Sequence, residues 1–239
     1  VLLFMPLGAA FAAGAKRPWV RVLLALGLVI PALALLYTYS RGGWIAIVIA
    51  AVVFTYCCNK RLIPALMGLG LLCIPLLPES VLIRLSTIGN KADSSTQHRL
   101  DIWNGVLHLL RDHDRVLTGI GLGPETFRII YPFYSIGSAK IGAYQSQMQY
   151  MELVLELGLL GFVSSIYMCC KYVGRAVQAL FSGAKEDRLI LIACISSFAA
   201  LAFVGLVEYL WFYQRLMFAF FIFLGILLAA AAPKEDLAK

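Results

Sequence analysis

The side chains best able to do chemistry in this chain are a few arginines and carboxylates set at the edges of long apolar runs. Arg41 occupies Tyr39-Ser40-Arg41-Gly42-Gly43-Trp44, between the runs 19–39 and 44–58, which carry almost no charge beyond Arg21. A guanidinium stays charged at any working pH, so there it either snorkels to anchor a helix end or has a functional task. The two glycines permit a tight reversal in which backbone N–H groups stay available. Arg99 lies four residues before Trp103, which on a helix puts both on neighbouring parts of one face. It is read as a functional cation or as a solvated, lipid-phosphate contact. Glu152 and Glu156 stand four apart at the start of an apolar run; there a carboxylate is a candidate base if buried and an ordinary solvated acid if not.

Two further patterns carry weaker chemistry. Asp112-His113-Asp114 is a D-x-D, which can hold a metal through carboxylate oxygens. Its arginine neighbours and its place at the end of an amphipathic helix read as a solvated charge run, and no metal is expected. Gly119-Ile120-Gly121-Leu122-Gly123 fails the G-x-G-x-x-G spacing of a dinucleotide loop and is read as a turn into a helix starting at Pro124. Its amides meeting a phosphate is the lesser alternative.

The elements that must position these residues are apolar helices. With 61% hydrophobic and 14% charged residues and a mean hydropathy of +0.85, the composition excludes an ordinary soluble domain and implies an all-α integral membrane protein. Apolar runs near 1–13, 19–39, 44–58, 62–77, 150–170, 189–207 and 214–232 give six to seven transmembrane helices. The chain divides into N-terminal spans (1–77), a large extracytoplasmic loop (78–149), C-terminal spans (150–232) and a cytoplasmic tail (233–239). Lys16/Arg17, Lys60/Arg61, Lys171, Arg175, Lys185, Arg188 and Lys234 fall on one side if each run spans once, which makes that side cytoplasmic. The Arg41 turn, 78–149 and the turn from Glu208 to Arg215 then converge outside. The first run has its charges after the apolar stretch, so it is no signal peptide, and Val1 reads as the start of a piece of a longer protein. The net charge of +7 reflects the cytoplasmic loops and needs no nucleic-acid partner. The six cysteines lie in or beside apolar runs without a CxxC spacing, as small helix residues and not as a disulfide or zinc framework.

Residues 78–149 are too long for an idle connection. Ser94-Ser95-Thr96-Gln97 supplies helix-start chemistry, and Leu100, Trp103, Leu107 and Leu110 follow as an apolar stripe. The helix is therefore amphipathic, suited to lying at the outer membrane surface, with Asp101 on its polar face.

Ser40-Arg41-Gly42-Gly43-Trp44, Ser94-Ser95-Thr96 through Arg99 and Trp103, the Gly119–Gly123 turn, and Glu156-Leu157-Gly158-Leu159-Leu160-Gly161 together resemble the O-antigen ligase and polymerase family of bacterial envelope enzymes. The stretch from Glu208 to Arg215 is similar to the family's acidic, aromatic and arginine turn before its last helices. The resemblance covers about residues 37–220. It implies a GT-C-like glycosyltransferase of the bacterial inner (cytoplasmic) membrane, acting as ligase or polymerase in surface polysaccharide biosynthesis. Its donor is a glycan on a polyprenyl pyrophosphate carrier, its acceptor a lipid or glycan on the extracytoplasmic face, and membrane lipids surround it.

On that reading Arg41, Arg99 and Arg215 bind the departing pyrophosphate, whose charge bidentate guanidinium groups stabilise without metal or cofactor. Glu208 orients an arginine or an acceptor. Many relatives carry a histidine-rich H-S-H-N ahead of the acidic-x-Gly turn; here those positions are Gln145-Ser146-Gln147-Met148. Gln147 can hydrogen-bond a sugar, as can Gln145, but neither can take up a proton. His98, Glu152 and Glu208 are then the substitutes for a base. Two other classes stay open: a non-catalytic relative that binds lipid-linked glycan or partners an active transferase, and a lipid-linked glycan transporter, which the lack of an inverted repeat disfavours.

Overall fold

The computed structural model describes residues 1–90, 93–112, 115–140, 142–182 and 187–232. His113 and Asp114 of the D-x-D, the loop residue Lys185, and the tail 233–239 with Lys234 lie outside the described residues. The helices are α1 (Phe4–Gly14), α2 (Pro18–Gly27), α3 (Val29–Leu36), α4 (Arg41–Asn59), α5 (Ile63–Cys73), α6 (Glu79–Ser86), α7 (Ser94–Asp112), α8 (Pro124–Ile130), α9 (Gln149–Phe181), α10 (Arg188–Val204) and α11 (Gln214–Ala231). No strand occurs among the described residues. The protein is all-α, as its composition requires.

Among the described residues, four helical stretches are long and apolar enough to cross a membrane: Pro18–Leu36, Arg41–Leu76, Gln149–Phe181 and Gln214–Ala231. Phe4–Gly14 and Arg188–Val204 are shorter apolar helices. The runs expected at 44–58 and 62–77 form one stretch of 36 residues, because Lys60–Leu62 makes a 3-10 turn between α4 and α5 instead of an extended loop.

The chain folds as two units. The first comprises Val1–Ser86, Lys171–Val204 and Phe218–Lys239. Its core helix is α10, whose residues Leu191 through Phe198 are all buried. A helix apolar on every side belongs inside a bundle, which explains how a 17-residue run is placed. Ala193 and Ala200 are small enough for close packing against α4 and α1, which bury Ala46, Ala50, Ala10 and Ala12. Ser197 donates its hydroxyl to the Leu3 carbonyl at 2.9 Å, joining the middle of α10 to the N-terminal segment.

The second unit comprises Thr87–Cys170 and Gly205–Met217. The amphipathic helix begins at Ser94 as expected, but its buried stripe differs. Ile102, Val106, Leu109 and Leu110 face the core with Phe127, Tyr131 and Leu155, while Leu100 and Leu107 are exposed. The steps 102, 106 and 109 keep one helical face against the stacked rings of Phe127 and Tyr131. Leu100 and Leu107 lie on the adjoining face, which the sequence pattern had merged with it.

Candidate functional site

In the first unit the Arg41 turn is braced locally. The reversal is made at Tyr39, which adopts φ +53°, not at the glycines expected to make it. Gly42 and Gly43 belong to the first turn of α4, where Ser40 caps the helix by accepting from the Gly43 N–H at 3.2 Å. Trp44, 9% exposed, donates its indole N–H to the Leu35 carbonyl at 3.1 Å and packs with Leu35 and Val81. Arg84 of α6 donates to the Tyr39 carbonyl at 3.5 Å, and the Tyr39 and Ser80 hydroxyls lie 3.2 Å apart. These contacts hold Arg41, half-buried, at the first residue of a helix. A cation there opposes the helix dipole, an arrangement that an anion bound at the same end would relieve.

In the second unit three distant segments meet around Arg99. Its guanidinium donates to the Glu208 carboxylate at 2.7 Å and, through Nε, to the Gln147 side-chain oxygen at 3.2 Å. Trp103, one turn on, donates its indole N–H to the Ser146 carbonyl at 3.0 Å, so the face shared by Arg99 and Trp103 grips the segment 146–147. Gln147 has φ +55°, a left-handed conformation costly for a side chain of its type and kept only where surrounding contacts enforce it. Those contacts come from the start of α9. Glu152, 1% exposed, accepts from the Ser146 N–H at 2.7 Å. The Ser146 hydroxyl donates to the Met148 carbonyl at 3.0 Å.

Gln149 ties this turn to the segment 205–211. Its backbone N–H donates to the carbonyls of Gly205 and Glu208, and its side-chain oxygen accepts from the N–H groups of Leu210 at 3.0 Å and Trp211 at 3.2 Å. With that oxygen fixed by two donors, the buried Gln149 Nε2 is left with no partner, and the Gln145 side-chain oxygen is likewise buried without a donor.

The glycine turn is the other support. Gly119, Gly121 and Gly123 all have positive φ, and so does Gly158, which breaks α9 at φ +71°. Ile120 N–H donates to the Leu155 carbonyl and Leu159 N–H to the Val116 carbonyl, both at 2.7 Å. Side chains at Gly119 or Gly158 would strike the facing backbone. Gly123 N–H donates to the Glu156 carboxylate at 3.1 Å. The amides of Ile120 and Gly123 are therefore engaged by the protein itself, so the turn serves packing. Glu156 also accepts from the Tyr209 hydroxyl at 3.3 Å. Burial, with the Glu156 carboxylate beside it, holds the Tyr209 phenol well above its usual range, so it remains a donor at neutral pH.

Glu152 and Glu156 are thus both engaged in fixing backbone and Tyr209. Glu208 keeps one oxygen beyond its ion pair and is 38% exposed. His98 sets Nδ1 3.3 Å from the Ser138 hydroxyl, whose O–H donates to Asp101 at 2.7 Å. Asp101 also accepts from the Ser138 N–H, and these bonds hold its carboxyl below the usual range. Arg215, the second residue of α11, is exposed. Among the described residues no cluster of His, Cys, Asp or Glu could hold a metal.

The second unit therefore brings together Arg99, Gln147 and Glu208, places Gln145 in the same turn, and sets His98 one residue before Arg99. Sequence reasoning missed Gln149 and Tyr209. The signal for Gln149 was present: Gln149, Glu152 and Glu156 fall at steps of three and four, a polar stripe on an otherwise apolar helix. Compared with known proteins, the chain matches the family model described as O-antigen ligase over residues 2–166. No curated protein matches it.

Proposed function

From the premise that the chain belongs to the O-antigen ligase family, as a membrane glycosyltransferase of ligase or polymerase type, we propose its donor, face and residues. The donor is a glycan on a polyprenyl pyrophosphate, the acceptor a hydroxyl on a lipid or glycan, and transfer takes place on the extracytoplasmic face of the bacterial inner membrane. The observation that carries this reading is the convergence of Arg99, Gln147 and Glu208 from positions far apart in the sequence, with the turn at Gln147 held in a strained conformation. Such strain persists where surrounding contacts over-determine it, and it clusters at working sites.

Roles follow the geometry of each unit. Arg41, at the positive end of α4, binds phosphate oxygens and stabilises the charge of the leaving pyrophosphate, with no metal or cofactor required. Arg215, exposed at the start of α11, is a further guanidinium able to bind phosphate oxygens. Arg99 is oriented by Glu208 and by Gln147, so its remaining N–H groups point in a fixed direction toward substrate. A carboxylate or imidazole must take the acceptor proton, because the Gln147 amide cannot. Glu208, through its second oxygen, and His98 are the groups of this cluster still able to do so. Gln145, in the same turn as Gln147, is a further amide for substrate binding.

Release of free polyprenyl pyrophosphate from a lipid-linked oligosaccharide, with acceptor, by the protein in lipid vesicles tests the proposal. Release is expected, and Arg41→Ala is expected to lower it by a factor on the order of 10² or more while the protein stays folded. Donor binding without any release would replace this reading with the non-catalytic one, which Gln145 and Gln147 in place of histidines would then explain.

A further inference from the structure

A cavity of the second unit, built from residues other than the Arg99 cluster, has the chemistry of a lipid site. Arg115, Ile120, Ile129, Ile130, Phe133 and Tyr134 line about 480 Å³, within the span of roughly 300–1,000 Å³ typical of ligand pockets. Its walls are hydrocarbon and aromatic ring. The one polar atom that Tyr134 brings is engaged, since its hydroxyl donates to Asp112 at 2.7 Å. Ile120 has its N–H bonded to the Leu155 carbonyl. Arg115 is therefore the charged residue among those that line it.

Two lining residues are also unusually bare. Ile129 is 67% and Phe133 84% exposed, four residues apart along α8 and the turn that follows. Large apolar side chains presented together beside an apolar cavity mark a contact surface. What covers them follows from the chain's own course. Residues 149–170 of this unit belong to α9, which like α11 is long and apolar enough to cross a membrane, so the unit is anchored in a bilayer. Apolar side chains flanking a cation match the interfacial zone of a bilayer, where acyl chains lie next to phosphates.

We propose that this cavity takes an acyl chain of an anionic phospholipid, with the lipid phosphate on Arg115, and so docks the second unit on the bilayer surface. A guanidinium pairs with a phosphate bidentately, while Ile129 and Phe133 exchange water for hydrocarbon. The inference rests on the membrane character of the chain and this cavity, and it stands whether or not the transferase reading holds.

The test is photocrosslinking on the full chain in phosphatidylcholine vesicles that contain a photoactivatable phosphatidylglycerol, with labelled peptides mapped by mass spectrometry. Labelling within 115–134 is expected, and Arg115→Ala should lower it about fivefold, the effect of one cation at an anionic surface. Phe133→Ser, which leaves the charge in place, should lower it as well, and helix content by circular dichroism identifies any variant that fails to fold. Equal labelling of this segment by photoactivatable phosphatidylcholine, unaffected by Arg115→Ala, would overturn the proposal. So would loss of labelling to a polyprenyl monophosphate competitor but not to excess phosphatidylglycerol, which would assign the cavity to a prenyl carrier.

Discussion

The Arg41 turn and the Arg99 cluster are both built around an arginine, yet they are held by opposite means. Tyr39, Ser40, Gly43 and Trp44 fix the first within a dozen residues, with α6 as a brace. The second joins residues 99–103, 145–152 and 205–211, and its Arg99–Glu208 pair spans 109 positions. A site made locally survives changes elsewhere in the fold. A site made by long-range contacts fails when any one of its segments shifts. This difference predicts where substitutions do damage.

The largest effect should come from Gly158→Ala. Its φ of +71° is left-handed, and a Cβ there would run into the Leu117 carbonyl, which cannot give way because it is backbone. A loss of about 3 kcal/mol of stability is expected, combining the conformational cost with the collision. Gly43→Ala in the other region should cost less than about 1 kcal/mol, since its Cβ would meet Leu35 and Ser40 side chains at 3.1 and 3.3 Å. Thermal unfolding of the two variants in lipid measures the contrast, and equal losses would remove it.

Gln147→His comes next. Histidine tolerates the left-handed conformation seen at this position, and an imidazole restores a group that can accept a proton. Transfer should rise by about tenfold or more in the polyprenyl pyrophosphate release assay. An unchanged rate with donor binding intact would mean that proton uptake at residue 147 is not what limits this protein.

Smaller again is the Arg99–Glu208 pair, whose side chains are 22% and 38% exposed. A double-mutant cycle of Arg99→Ala and Glu208→Ala should give a coupling of about 1 kcal/mol, discounted from a buried pair for solvent screening. No coupling would mean that the ion pair does not hold the three segments together.

The smallest expected effect is at Asp101. Its carboxyl is held below the usual range by the Ser138 hydroxyl and N–H, so its contribution to stability is complete above the ordinary aspartate range, near pH 4. It is lost as the pH falls below that through the lowered value. Asp101→Asn should flatten the acid limb of an unfolding-versus-pH curve, and an unaltered limb would contradict the assignment.

Much of this was legible in the sequence where the cause is local. The helix starts at Ser94 as its polar run suggests, although the capping oxygen is that of Asp93, which accepts from the Thr96 N–H at 3.2 Å, and Pro124 starts another because proline suits the first turn. The placement of Arg99 and Trp103 on one face followed from helical spacing, and both do grip residues 146–147. Of the apolar stripe expected on α7, Leu110 and Trp103 pack on the core, but Ile102, Val106 and Leu109 look no more apolar than the exposed Leu100 and Leu107; only the position of Tyr131 and Leu155 chooses which face the protein buries. The glycine turn leads into a helix at Pro124 as its sequence suggests, while the acceptors of its Ile120 and Gly123 amides lie on α9, 33 or more positions away, where no local pattern shows them.

The sequence by itself determined that the protein is an all-α membrane protein, because 61% apolar residues in long runs have no other stable arrangement in lipid than helices that satisfy their own backbone. It also determined the family, through residues whose order and spacing survive in a linear reading. Only the tertiary structure decided that Glu208 and Gln147 orient Arg99, that Glu152 and Glu156 hold backbone, and that Gln149 joins two turns. Those pairings close loops of up to about a hundred residues, and the energy that selects one partner over another lies in packing that no local pattern records.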